Sequence, residues 1–306
     1  MSELTAYFNG DFVPDSQCRV HISDRGLRLG DSVFDVERTF NGKIFRLHEH
    51  LVRLYRSLKY VRIDPQIEMD QMERIVLQVV QRNEHLRGSA GDYSVWQTIT
   101  RVSGRTAFDE STPTVCVRLV PIDFSRHARF YRAGAPVVFP RTRSYNSESL
   151  DPKVKHHSRL NFVLAELEAG DIDREAYPVL LDPLGNITEN ISANFMIVTD
   201  GTIRIPKDEG SLQGISKRTV IELANQLGIP TTTEDLQPYD AYTADEAFLT
   251  TTGYCILPVG RIDNRPIGSR APGEITNRLL AAWSELVGLD IVDQALRYAA
   301  AKNMPA

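Results

Sequence analysis

The chain has 306 residues, 42% apolar and 25% charged, an ordinary globular composition with room for one large domain or two smaller ones. Thirty-five basic against 40 acidic residues leave a net charge of −5, which gives no electrostatic reason to expect nucleic acid or an anionic membrane as a partner. Three scattered cysteines, an N-terminus without a basic and apolar leader, and no run near the ~20 apolar residues of a membrane span point to a reduced cytoplasmic protein.

The first forty-odd residues read as strands joined by tight turns. Asn9-Gly10 between AYF and DFV, and Asn41-Gly42 between VERTF and KIFRL, each predict a hairpin, because Asn-Gly accepts positive φ angles. After Leu47 the period changes. Leu51, Leu54, Tyr55 and Leu58 recur at helical spacing with Arg53, Arg56 and Lys59 interleaved, which predicts an amphipathic helix. A second helix is predicted over 70–87 and strands over 93–102 and 114–120, so 1–120 reads as a small α+β domain. Residues 121–134, PIDFSRHARFYRAG, are charged and aperiodic and read as an interdomain connection.

Residues 135–306 read as a larger domain. A strand is expected over 135–139, and then comes DPKVKHHSRLNFVLAELEAG, which starts extended because Pro152 disfavours helix before it. The stretch ends in a helix whose Leu160, Val163, Leu164 and Leu167 form an i, i+3, i+4, i+7 stripe. Strands are predicted over 177–181, 187–188, 193–198 and 246–250, a hairpin turn at Asp200-Gly201, and helices over 215–227 and 275–287. A strand-rich core with peripheral helices, without regular strand-helix alternation, makes the fold class α+β.

Several residues could carry chemistry. Lys153 and Lys155, two apart on an extended stretch, would share a face, and Lys155 lies at a strand-to-helix junction. A nucleophilic lysine needs a neutral amine, and His156, His157 and Arg159 are the neighbours that can depress its proton affinity. Gly214 opens a helix with Ser216 as its expected N-cap, which suits a phosphate, as does Thr250-Thr251-Thr252-Gly253. Arg53 is a guanidinium on a helix, able to clamp phosphate oxygens. Arg28, Arg101 and Arg105 are open alternatives for binding a substrate carboxylate. His48 and His50 lie two apart at a helix start without matched acidic or cysteine ligands, so no metal is expected.

Five segments in order, DRGLRLGDSVFDVERTFNGKIFRLHEHLVRL, KHHSRLNFVLAELEA, LLDPLGNITENISANF, LQGISKRTVIELANQLGI and DEAFLTTTGYCILPV, resemble the fold type IV enzymes that use pyridoxal 5′-phosphate. That family contains branched-chain and D-amino acid aminotransferases, (R)-selective amine transaminases and aminodeoxychorismate lyases. The resemblance implies two domains, a small α/β one and a larger strand-rich pseudo-barrel, and a homodimer in which a loop of one subunit closes the other's pocket. It implies that Lys155 forms the Schiff base and that Glu189 pairs with the pyridine nitrogen. Arg53, the amides of Ile215 and Ser216, and Thr252 would hold the phosphate. Phe34, Arg38, Tyr93 and Gly253 fall at substrate-facing positions. The implied reaction moves an amino group between an amino acid, of branched-chain type by preference, and a 2-oxo acid. The departures are Val36 in place of the glycine of F-E-G-x-R, Leu29 in place of a tyrosine and Val95 in place of an arginine. Phe34-Asp35-Val36 is closer to the Y-E-V of the D-amino acid enzymes, and Lys155-His156-x-x-Arg159-Leu160 resembles the lyase.

Overall fold

The computed structural model describes residues 3–88, 91–102, 104, 106–109 and 112–302. The chain divides into two compact units, Met1–Ile122 with Val154–Arg159, and Asp123–Lys153 with Leu160–Ala306. Residues 154–159, expected within 135–306, therefore cluster with the first unit.

In the first unit the strands are β1 (Thr5–Phe8), β2 (Asp11–Pro14), β3 (Ser32–Phe40), β4 (Lys43–Ile44), β5 (Tyr93–Thr100) and β6 (Thr114–Pro121). They form one sheet in the order β2-β1-β6-β5-β3-β4. Both Asn-Gly turns are hairpins with positive φ at each turn residue: Asn9 +50° and Gly10 +109°, Asn41 +50° and Gly42 +76°. A five-residue helix, α1 (Arg25–Leu29), interrupts the strands. It is too short to show a period, and it is set by Asp24, whose side chain accepts from the Gly26 N–H, and by Gly30 at φ +68°.

Helices α2 (Leu47–Val61) and α3 (Met69–Asn83) cover one sheet face. Leu51, Leu54 and Leu58 of α2 and Met72, Val76 and Val79 of α3 meet Val33, Val95, Ile99 and Val117 in one apolar core. Each such side chain contributes roughly 1.5–3 kcal/mol on burial.

In the second unit α4 (Phe130–Ala133) precedes β7 (Ala135–Val138), α5 (Leu160–Ile172), β8 (Tyr177–Leu181), β9 (Ile187–Asn190), β10 (Asn194–Thr199) and β11 (Thr202–Pro206). Then follow α6 (Ile215–Gln226), β12 (Thr231–Glu234), α7 (Pro238–Tyr242), β13 (Glu246–Thr251), β14 (Cys255–Ile262), β15 (Arg265–Pro266), α8 (Glu274–Val287) and α9 (Ile291–Lys302). The strand order is β12-β11-β10-β13-β14-β7-β8-β9, and β9 also pairs with β10 through Glu189↔Asn194. The path returns on itself, so β10, β13, β14, β7, β8 and β9 close a six-stranded ring. The stretch 121–134, read as a connection, packs aromatics here: Phe124, Phe130 and Tyr131 are buried.

The apolar stripe of α5 faces outward, with Leu160 70%, Val163 47%, Leu164 47% and Leu167 61% exposed, while Phe162, Ala165 and Ala169 are buried. These two sets lie on opposite sides of a 3.6-residue helix. The small alanines let α5 lie close to its own sheet, against β7 and β8. None of the three cysteines is joined in a disulfide. Among the described residues no helix is long and apolar enough to cross a membrane.

Candidate active site

The candidate residues fall into one set in each unit. In the first, the Lys155 segment is laid along β3. The Phe34 N–H donates to the Lys155 carbonyl at 3.0 Å and the His157 N–H to the Ser32 carbonyl at 3.2 Å, making Val33 and His156 a bridge pair. The Lys155 N–H donates to Ser57 Oγ of α2 at 3.2 Å. These bonds fix the Lys155 backbone, and its Nζ stands 4.6 Å from the centroid of the Phe34 ring. Phe34 in turn stacks on Trp96 at 5.7 Å and on His157 at 4.2 Å. Burial, helped by the charges of Arg159 and Lys155, holds both His156 and His157 down at about 4, so both are neutral near pH 7. Lys153 differs: it is 39% exposed and its Nζ pairs with Asp151 at 2.9 Å. The residues around it form a turn, not the extended stretch that would align it with Lys155.

Arg53 is oriented from below. Asp35, fully buried on β3, accepts from Arg53 Nε at 2.8 Å and from Arg53 Nη2 at 2.7 Å. His50 Nδ1 donates to the same carboxylate at 2.8 Å. Burial alone would push the Asp35 carboxyl up, but the Arg53 charge and hydrogen bond, with help from His50, hold it far below the usual carboxylate range. Burial pushes His50 down, so the imidazole stays neutral. No acidic partner for His50 stands out in the sequence; the packing of α2 on β3 supplies Asp35, with Glu37 beside it. Ligand atoms of Asp35, Glu37 and His50 lie within 4.8 Å of one another, but this cluster already contains the cation Arg53.

Of the other expected substrate contacts in this unit, Arg38 shares a sheet face with Phe34 and Tyr93 does not. Strand alternation puts Phe34, Val36 and Arg38 on one sheet face, and Tyr93 and Val95 on the core face. Tyr93 is 3% exposed and its hydroxyl donates to the Asn83 carbonyl of α3. Arg38 is buried, donates from Nε to the Thr39 carbonyl and lies 4.0 Å over the Phe40 ring. Arg101 binds Asp31 and caps the last carbonyls of α2, Val61 and Arg62, a structural task. Arg28 is exposed on α1. Arg105 lies outside the described residues.

In the second unit Glu189 sits where β9 meets β10. Its Oε2 accepts from the Leu212 N–H at 3.1 Å and from Asn194 Nδ2 at 3.3 Å, and the same Asn194 amide donates to the Leu212 carbonyl at 2.9 Å. Asn194 was not singled out from sequence; its signal is a buried amide in an otherwise apolar strand. Gly214, not Ser216, is the N-cap of α6, and no side chain caps that helix. A Cβ at Gly214 would stand 2.0 Å from Asn194 Oδ1, so glycine is what lets the chain pass there. The α6 start, with Ile215 and Ser216 as its first helical residues, therefore offers amides and the positive dipole end without a side-chain acceptor of its own. α6 packs against β13, at whose end Thr250 Oγ1 donates to the Cys255 carbonyl and Thr251 Oγ1 to the Ser192 carbonyl. Thr252 and Gly253 form the turn that follows, and a Cβ at Gly253 would meet nothing within 4 Å. The helix start without a side-chain cap and the Thr252-Gly253 turn suit a phosphate, and the carboxylate at the strand junction suits a protonated ring nitrogen.

A protein-family model described as amino-transferase class IV matches residues 32–262. A Methanocaldococcus jannaschii protein provisionally named a branched-chain-amino-acid aminotransferase is 34% identical over 289 residues, 92% of this chain and 96% of its own length. A D-alanine aminotransferase of Bacillus licheniformis is 27% identical over 91% of this chain and 95% of its own. Among solved structures, a T.th. branched-chain amino acid aminotransferase with pyridoxamine 5′-phosphate superposes with a TM-score of 0.85 at 26% identity, covering 94% of this chain and 95% of that one.

Proposed function

Because this chain belongs to the class IV aminotransferase family, we propose that it moves the amino group of a branched-chain amino acid to a 2-oxo acid, with Lys155 holding the cofactor pyridoxal 5′-phosphate. The observation that carries the reading is the placement of Lys155, fixed by backbone hydrogen bonds to β3 and α2 with its Nζ over Phe34. When bound, pyridoxal 5′-phosphate supplies the electron sink that acidifies the Cα–H of the attached amino acid. Lys155 would take that proton and return it, a task that needs an amine held at one place. Glu189, its Oε2 held by Leu212 and Asn194, would keep the pyridine nitrogen protonated. Arg53, oriented by Asp35, would grip the phosphate together with the Ile215 and Ser216 amides and Thr252. Phe34 backed by Trp96 offers an apolar wall for a branched aliphatic side chain, and the open space about the Gly253 Cα leaves room for a carboxylate.

A second copy of the chain and a cytoplasmic setting belong to the same reading. The outward apolar stripe of α5 supports the first, and three cysteines without a disulfide the second. The test is a half-reaction screen following loss of the cofactor's absorbance with L- and D-amino acids and (R)-amines. L-leucine and a 2-oxo acid should support turnover, and borohydride should trap the cofactor on Lys155. Lys155→Ala should abolish both, and Lys153→Ala should keep most of the activity. Response to D-alanine but not L-leucine would move the assignment to the D-amino acid enzymes. Pyruvate release from aminodeoxychorismate without any acceptor would move it to the lyases.

A further inference from the structure

Glu37 is fully buried on β3, two residues from Asp35, and so on the same core-facing side of the strand. Gln97 of β5 donates from Nε2 to Glu37 Oε1. Glu37 Oε2 and Gln97 Oε1 are both buried without a hydrogen-bond partner among the described residues. The charged and titratable groups that face it are Asp35 on its own strand and His50 and Arg53 on α2, with Lys155 beside His50; β5 contributes only the neutral Gln97. Arg53 is already paired with Asp35, and His50 is neutral. An ionised Glu37 would thus be a buried charge with no counter-ion of its own, beside a second carboxylate. Burial and the Asp35 charge push the Glu37 carboxyl well up, in the same direction as this count of charges.

We propose that Glu37 is a positioning residue of the Arg53 anion clamp. As a neutral acid it leaves Asp35 and Arg53 a balanced pair, and on losing its proton it draws Arg53 charge away from a bound phosphate. The inference rests on reading Arg53 as a phosphate ligand. Its direction is fixed by sign: a new negative charge beside the guanidinium weakens anion binding, so phosphate affinity falls as pH rises through the Glu37 titration. Reciprocity requires that a bound phosphate make Glu37 harder to deprotonate.

The experiment measures the dissociation constant of pyridoxal 5′-phosphate for the full chain, by fluorescence quenching from about pH 6 to 10, in wild type and Glu37→Gln. The amide keeps the shape and cannot ionise. At the alkaline end wild type should bind on the order of tenfold more weakly than Glu37→Gln, the effect of one unit charge at intermediate effective dielectric. At the acid end the two should agree. Infrared difference spectra of wild type should show a protonated carboxyl band that Glu37→Gln lacks, titrating at higher pH once the cofactor is bound. A wild-type-to-variant ratio constant over the range, or no such band, overturns the proposal. Failure of both proteins to bind the cofactor at any pH would instead overturn the reading of the site. Should Glu37→Gln fail to fold, the cofactor-dependent movement of the wild-type band decides alone.

Discussion

At the scale of single residues, what mattered was where each charged side chain found its partner. Lys155 could be singled out from sequence because it precedes a helix at a fixed spacing and stands among motifs in family order. Its seat over Phe34 could not, since it depends on a strand pairing between residues 33 and 156. Arg101 shows the reverse: as sequence it is a candidate ligand, and only the carbonyls at the end of α2 decide that it is a cap. Buried His156 and His157 give this scale its prediction. In the unfolded chain imidazoles gain protons near 6.5, whereas in the folded protein they do so at about 4. Between these values the unfolded chain binds more protons, so their contribution is complete above about pH 6.5 and is lost as pH falls toward 4. Urea midpoints should drop between pH 7 and pH 5, and less so in His156→Gln. Equal drops in both would count against the burial of neutral imidazole as the cause.

Among elements, the hairpins were the most legible, because an Asn-Gly turn carries its own conformational reason and needs no distant partner. The start of α6 was legible as a helix but not in its cap, since Ser216 satisfies the local rule while Gly214 answers to the approach of Asn194. α5 was legible as a helix but not in its orientation. Both of its faces are apolar, so periodicity located the stripe but could not say which side faces the sheet; the alanines on the other side made close packing possible there. The α6 junction predicts a separable effect. In Gly214→Ala the added carbon meets Asn194 Oδ1 and must displace the amide that supports Glu189. The variant should melt within a few degrees of wild type, consistent with a cost of about 1–3 kcal/mol, yet bind pyridoxal 5′-phosphate at least about tenfold more weakly. Unchanged cofactor affinity would show that Asn194 does not fix Glu189.

For the whole molecule, fold class and two-part organisation could be read from the change of pattern along the chain, and the excursion of 154–159 into the first unit could not, because no local signal marks it. The proposed pairing of two copies makes its own prediction. Leu164→Glu with Leu167→Glu places charges on side chains that are already about half exposed, so each protomer should fold. Light scattering should show wild type as a dimer and the double variant as a monomer at micromolar concentration. A dimer in both would send the interface elsewhere.

The closed ring has a further consequence, in time. Its β7–β14 joint pairs Ala135 with Val259, which are 124 positions apart (259 − 135), so β7 leaves the ribosome long before its neighbour exists. During that interval β7 has an uncovered edge, a template for pairing with another nascent chain. Completion of the ring therefore waits until β14 is made late in synthesis, whereas the strand junction that carries Glu189 needs only the chain up to Leu212.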